Sequence, residues 1–182
     1  ENHTLGTTLS TPSGWTSVLR QPHPTASTVL TVFYRFATSS SETAPSLSAD
    51  ADHRWGTIIT FTGVNTVNPI HASSTSQIVN ASTCCSPALT TVLDDCMVVD
   101  CFCYSFDSAG PVAASEANAS LANYTERYDA GTATNSGGGV VILTGELASK
   151  GLVTTTNVTA AGWGGTAGCA AKIALQAADK TF

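Results

Sequence analysis

The chain repeats itself, and the repeat constrains the fold more than any other feature. Gly14-Trp15-Thr16 with Arg20 returns as Asn123-Tyr124-Thr125 with Arg127, and residues 29–36 return as residues 140–147. Ala37-Thr38-Ser39 returns as Ala148-Ser149-Lys150, and Trp55-Gly56 as Trp163-Gly164. The offset is roughly 108 residues, with about six extra residues in the second copy before Ile173 and Leu175. Each repeated unit alternates apolar and polar residues, the period of a strand with one buried face. Two similar all-β halves in one chain predict a double Greek-key jelly roll, a β-sandwich of about eight strands. The two pseudo-repeats cover about 15–70 and 96–178, within a single domain over residues 15–182.

The expected strands lie at residues 15–19, 29–36, 55–61, 76–79, 88–92, 96–106, 124–128, 140–147, 152–156 and 172–176. Ser, Thr, Gly, Asn and Pro separate them. Residues 113–122, where Ala, Ser and Glu cluster, read as one or two turns of helix. In the longest run of β-formers, Met97, Val99, Cys101 and Cys103 fall on one face. Cys96, Val98, Phe102 and Tyr104 fall on the other with Asp100, so the uncharged first face is expected inward. This strand has no counterpart in the first half, because an equivalent would precede residue 1. The polar segment 1–14 offers only Leu5 and Leu9 in its place. One strand of the sandwich is therefore expected to come from a neighbouring subunit. The extended residues 1–10, or their upstream continuation, are the candidate donor.

Charge and cysteine usage narrow the setting. Charged residues are 11% of the chain and the net charge is −6 with 7 Lys+Arg, which leaves no basic patch for nucleic acid or an anionic membrane surface. No apolar run approaches the roughly 18 residues of a membrane helix. Five of the eight asparagines, Asn2, Asn80, Asn118, Asn123 and Asn157, stand in Asn-X-Ser/Thr triplets. With 28 Thr and 20 Ser among 182 residues, chance supplies about two. The excess points to N-glycosylation in an extracellular chain, at a cell or virion surface. Covalent glycans are the one non-protein group expected, with no cofactor.

An even six cysteines (Cys84, Cys85, Cys96, Cys101, Cys103 and Cys169) then read as disulfide-forming. Adjacent Cys84-Cys85 and the tight Cys101-X-Cys103 do not fit zinc spacing. A hairpin turn at Leu93-Asp94-Asp95 would set Cys84 or Cys85 across from Cys101 or Cys103, leaving Cys96 and Cys169 among the remainder.

Certain motifs resemble a known family. Pro12-Ser13-Gly14-Trp15-Thr16, Trp55-Gly56, Phe61-Thr62-Gly63-Val64-Asn65 with Asn68-Pro69-Ile70, and Asp95-Cys96-Met97-Val98-Val99 occur in this order. The set resembles a jelly-roll domain of bacteriophage tail and other surface proteins. That resemblance implies a structural or adhesive role without a catalytic set. It also implies an initial strand of the type absent here.

No chemistry stands out against this background. There is no Gly-X-Ser-X-Gly, and His3, His23, His53 and His71 sit in loops. Asp50, Asp52 and His53, or Asp94 and Asp95 near Asp100, lack the ligand spacing of a calcium loop. Gly137-Gly138-Gly139 precedes a strand, not a helix, so it is no phosphate cradle. No catalytic or metal residues are assigned, and the chain is not read as an enzyme. The expected role is a glycosylated filament or surface subunit whose partners are copies of itself. The alternative is a carbohydrate-binding or adhesive module using Trp15, Trp55 and Trp163 as a platform.

Overall fold

In the computed structural model, which describes residues 9–24, 28–47, 54–79, 83–134, 137–160 and 167–178, every helix or strand element is a strand. In chain order these are β1 (Thr16–Pro22), β2 (Val29–Tyr34), β3 (Ile70–Val79), β4 (Thr83–Ser86), β5 (Leu89–Thr90) and β6 (Cys96–Tyr104). They continue with β7 (Ala113–Ala117), β8 (Ala122–Thr132), β9 (Gly138–Leu147), β10 (Leu152–Val153), β11 (Thr156–Ala160) and β12 (Ala167–Leu175). The all-β expectation holds, with more strands than foreseen, and β3, β8 and β12 run well beyond the expected 76–79, 124–128 and 172–176.

The backbone of the molecule is an antiparallel five-stranded sheet in the order β3-β12-β6-β9-β8. Its central strands are covered on both faces, so the fold is a sandwich with a shared middle sheet. The antiparallel hairpin β1-β2 lies over one face. There Leu30 of β2 packs with Val99, Cys101, Val140, Ile142 and Ile173, and Trp55, Ile59 and Phe61 close in from the side. The sheet β4-β11-β7 covers the other face, where Cys84, Val112 and Val158 meet Phe102, Tyr104, Val141 and Leu143. The short pair β5-β10 extends that cover, with Leu89 and Val153 against Cys96, Val98 and Leu147.

This arrangement corrects the expected orientation of β6. Both of its faces are interior: Val98, Asp100 and Phe102 are each 0% exposed. A near-continuous apolar run is what a strand covered on two sides requires. Asp100 enters the interior because it meets a cation there, described below.

Two further expectations change. Residues 113–122 hold no helix; β7 pairs instead with β11, Glu116 opposite Val158 and Ala117 opposite Asn157. Its start is fixed by Asp129 of β8, whose Oδ2 accepts the backbone N–H groups of Val112 and Ala113 at 2.7 Å each. A partly buried acceptor for two consecutive amides outweighs a weak alanine preference for helix. Residues 54–61 lie outside any assigned strand, with Trp55, Ile59 and Phe61 packed onto the first face.

Each half of the chain contains an antiparallel hairpin, β1-β2 in the first and β8-β9 in the second. Beyond β9 the sheet continues to β6, whereas beyond β2 no strand follows among the described residues.

Candidate functional site

Two places stand apart from ordinary packing: an open groove on one face of β6 and β9, and a closed polar pocket on the other.

The groove is a cavity of about 420 Å³ along β2. Val99, Cys101, Val140 and Ile142 form its floor, Leu30 and Val32 one wall, and Trp55, Ile58 and Ile59 another. Leu9 also lines it. Ile58 is 55% exposed and Phe36 41%, values that leave large apolar side chains facing water near an unextended sheet edge. At one end Trp15 lies under the Arg35 guanidinium, 5.7 Å from the ring centroid. Arg35 is itself paired with Glu42. Backbone amides of Thr38 and Ser39 hold the Glu42 carboxyl below the usual carboxylate range.

The polar pocket is built from three elements and one facing tyrosine. Lys172 of β12 and Asp100 of β6 are direct register partners. Their side chains are 0% exposed, and Lys172 Nζ lies 3.1 Å from Asp100 Oδ2. The same Oδ2 accepts the hydroxyls of Tyr124 and Thr156, both at 2.8 Å. Lys172 also donates to Thr156 Oγ1 at 3.0 Å, and Asn118 Nδ2 donates to that oxygen at 2.8 Å. Asp100 Oδ1 is buried without a hydrogen-bond partner. Burial pushes the Lys172 ammonium below its ordinary value, against the opposing pull of Asp100. Burial, then the Asp100 charge, raises the Tyr124 phenol, which therefore remains a donor. Tyr124 reaches this position because Gly145 leaves it room: a Cβ there would sit 2.7 Å from the ring.

Sequon positions differ sharply. Asn123 is exposed at a bulge of β8 with φ 50°, and Nδ2 contacts only the Glu146 carboxylate at 3.1 Å. Asn157 is exposed on β11 and accepts the Cys85 thiol at 3.1 Å. Asn118 is 7% exposed, and both Nδ2 hydrogen bonds, to Thr154 O at 3.0 Å and to Thr156 Oγ1, point inward. Asn2 and Asn80 lie outside the described residues, as do Asp50, Asp52, His3, His53 and Trp163.

No two of the six cysteines lie at bonding distance. The expected hairpin pairing is not formed, because Cys84 and Cys85 stand on β4 over one face of the middle sheet while Cys101 and Cys103 point to the other. Cys103 instead stands opposite Cys169 across β6 and β12, on the same face. Burial pushes Cys101 up to about 12 and raises Cys84 and Cys96 as well.

Trp55 packs into the core and donates Nε1–H to Tyr128 Oη at 3.0 Å. It is therefore a wall of the groove and not a flat platform. His71 accepts the Val92 amide at 3.0 Å, and His23 is 2% exposed. Asp94 Oδ1 accepts the Lys150 amide at 2.7 Å, while Asp100 lies with Lys172. Among the described residues no three His, Cys, Asp or Glu side chains converge as a metal site. The polar pocket was missed by sequence reading; its signal was a lone lysine inside the otherwise apolar run of β12. No family model, curated protein or solved structure matches this chain.

Proposed function

We propose that this chain is a structural subunit of an extracellular, glycosylated filament or surface assembly that polymerises by strand complementation. The open edge of β2 above the apolar cavity carries the reading. In the second half the equivalent strand, β9, has neighbours on both sides, β8 and β6. A strand added beside β2 would restore that symmetry, pair the edge amides and cover Leu30, Val32 and Ile58. The proposed donor is residues 1–10 of a second copy, with Leu5 and Leu9 entering the groove. Each leucine buried there contributes about 1.5–3 kcal/mol.

Other features fit the same setting. The exposed Asn123 and Asn157 would carry glycans that keep unrelated edges apart. The compartment that attaches them is oxidising, and there Cys103 and Cys169 are the register-matched pair for a disulfide. The motif resemblance to jelly-roll domains of phage tails and other surface proteins agrees with a structural role. Nothing in the geometry favours the carbohydrate-binding alternative.

Negative-stain imaging of native material should show regular filaments, and a variant lacking residues 1–10 should give discrete particles. Added peptide spanning residues 1–10 should bind that truncated variant. Full assembly by the truncated chain, or monomers only from the intact one, would overturn the reading.

A further inference from the structure

The Lys172–Asp100 pair is poorly explained as a simple ion pair. Two charges removed from water lose hydration that their attraction rarely restores, unless every remaining donor and acceptor is satisfied. Here that condition fails. Asp100 Oδ1 has no partner, and the three hydrogens of an ammonium at Lys172 find two acceptors, Asp100 Oδ2 and Thr156 Oγ1.

We propose that Lys172 and Asp100 condense into an intramolecular amide that covalently joins β12 to β6. Lys172 Nζ, as the neutral amine, attacks Cγ of the protonated Asp100 carboxyl. The new bond is Nζ–Cγ; the bond that breaks is Cγ–Oδ1. Oδ1 departs as water, carrying the carboxyl proton and one proton from Nζ. No electrons are gained or lost, and no co-reactant is needed.

The surroundings suit each stage. Cross-strand register and mutual burial hold amine and carboxyl together, which replaces a bimolecular encounter by a positioned one. Negative charge developing on Oδ2 in the tetrahedral intermediate meets the hydroxyls of Tyr124 and Thr156, both already 2.8 Å away. Exclusion of water disfavours the ammonium of Lys172 and so favours its neutral, reactive amine. Burial lowers the lysine's proton affinity in the same direction.

The product also settles the hydrogen-bond accounts. The oxygen without a partner is the one expelled. The amide carbonyl, former Oδ2, keeps both hydroxyl donors, and the remaining Nζ–H keeps Thr156 Oγ1 as acceptor. This inference stands apart from the filament reading, since it uses the opposite face of β6 and needs no second copy.

The test is peptide mapping of folded wild-type protein, deglycosylated, reduced and digested with trypsin plus chymotrypsin. A branched species should appear, joining the peptides that contain Asp100 and Lys172, one water lighter than their sum. Tandem mass spectra should place the link at those two side chains, and tryptic cleavage after Lys172 should be lost. Linear peptides of full mass from the folded protein would overturn the proposal. Lys172→Arg should abolish the branched species; its persistence there would move the link elsewhere and overturn the assignment equally.

Discussion

Substituting Gly139→Ala tests how the middle sheet is packed. In most strands this change helps, because glycine weakens a strand by roughly 0.5–1 kcal/mol relative to alanine. The site is different here. Gly139 lies between Tyr104 on β6 and Gly131 on β8, its register partners on either side. A Cβ at Gly139 would run into the Tyr104 hydroxyl and ring and the Ala130 carbonyl oxygen, and one at Gly131 would meet that same hydroxyl. Tyr104 is 1% exposed and stacks on Phe106 at 4.4 Å, so its ring has nowhere to retreat. The expected outcome is a loss of about 1–3 kcal/mol, the usual cost of overpacking. At this chain length each kcal/mol lowers the melting midpoint by about 2–4 °C. Urea titration would measure it, alongside Tyr104→Ala and the double variant. Removing the ring should cut the cost of Gly139→Ala by at least about 1 kcal/mol, a coupling expected only of groups in contact. A stabilised Gly139→Ala protein, or strict additivity, would refute the argument.

Two other predictions follow from single side chains. Glycopeptide analysis should find glycan at Asn123 and Asn157 and none at Asn118, whose amide nitrogen is committed to Thr154 and Thr156; a glycan at Asn118 would show that the pocket forms differently. The Asp129 carboxyl is raised, mainly by burial and against the amides of Ala113 and Val112. A raised folded-state value means the folded form holds the proton more tightly, so this group favours folding at low pH. Its contribution is lost as pH climbs from the usual carboxylate range through the raised value. Asp129→Asn keeps an acceptor oxygen for both backbone amides but cannot titrate. It should therefore gain stability relative to wild type over that interval, and the opposite slope in urea midpoints would contradict the cause assigned.

Strand locations were legible because alternation and turn residues are local signals. The hairpins β1-β2 and β8-β9 follow directly from runs 29–36 and 140–147 and their upstream partners. What escaped was anything set by cover from above. Asp100 implied an outward face for β6 only while its partner was unknown, and Lys172 lies 72 residues away. The run of β6 carried the better signal: apolar residues on both parities demand burial on two sides. Residues 113–117 looked helical by composition, yet Asp129 captures the amides that open them as a strand. Gly137-Gly138-Gly139 read only as a run before a strand, and the role of Gly139, like that of Gly145, becomes visible only once Tyr104 and Tyr124 lie against them.

The groove and the polar pocket share β6, and adjacent residues of that strand separate them. Val99 faces the groove floor, whereas Val98 faces the opposite core with Leu89, Leu147 and Val153. Both are buried, at 7% and 0% exposure, and have the same side chain. Truncation to alanine should therefore cost each a similar amount of monomer stability, about 1.5–3 kcal/mol. Their effects on assembly should diverge. The proposed donor strand would rest on Val99 and not on Val98, so Val99→Ala should raise the concentration needed for filaments beyond what its lost stability explains. Val98→Ala should change assembly only in proportion to stability. The comparison needs urea midpoints and a sedimentation assay on the two variants. Equal assembly defects at equal stability loss would mean that the groove has no strand in it, whatever filaments the protein forms.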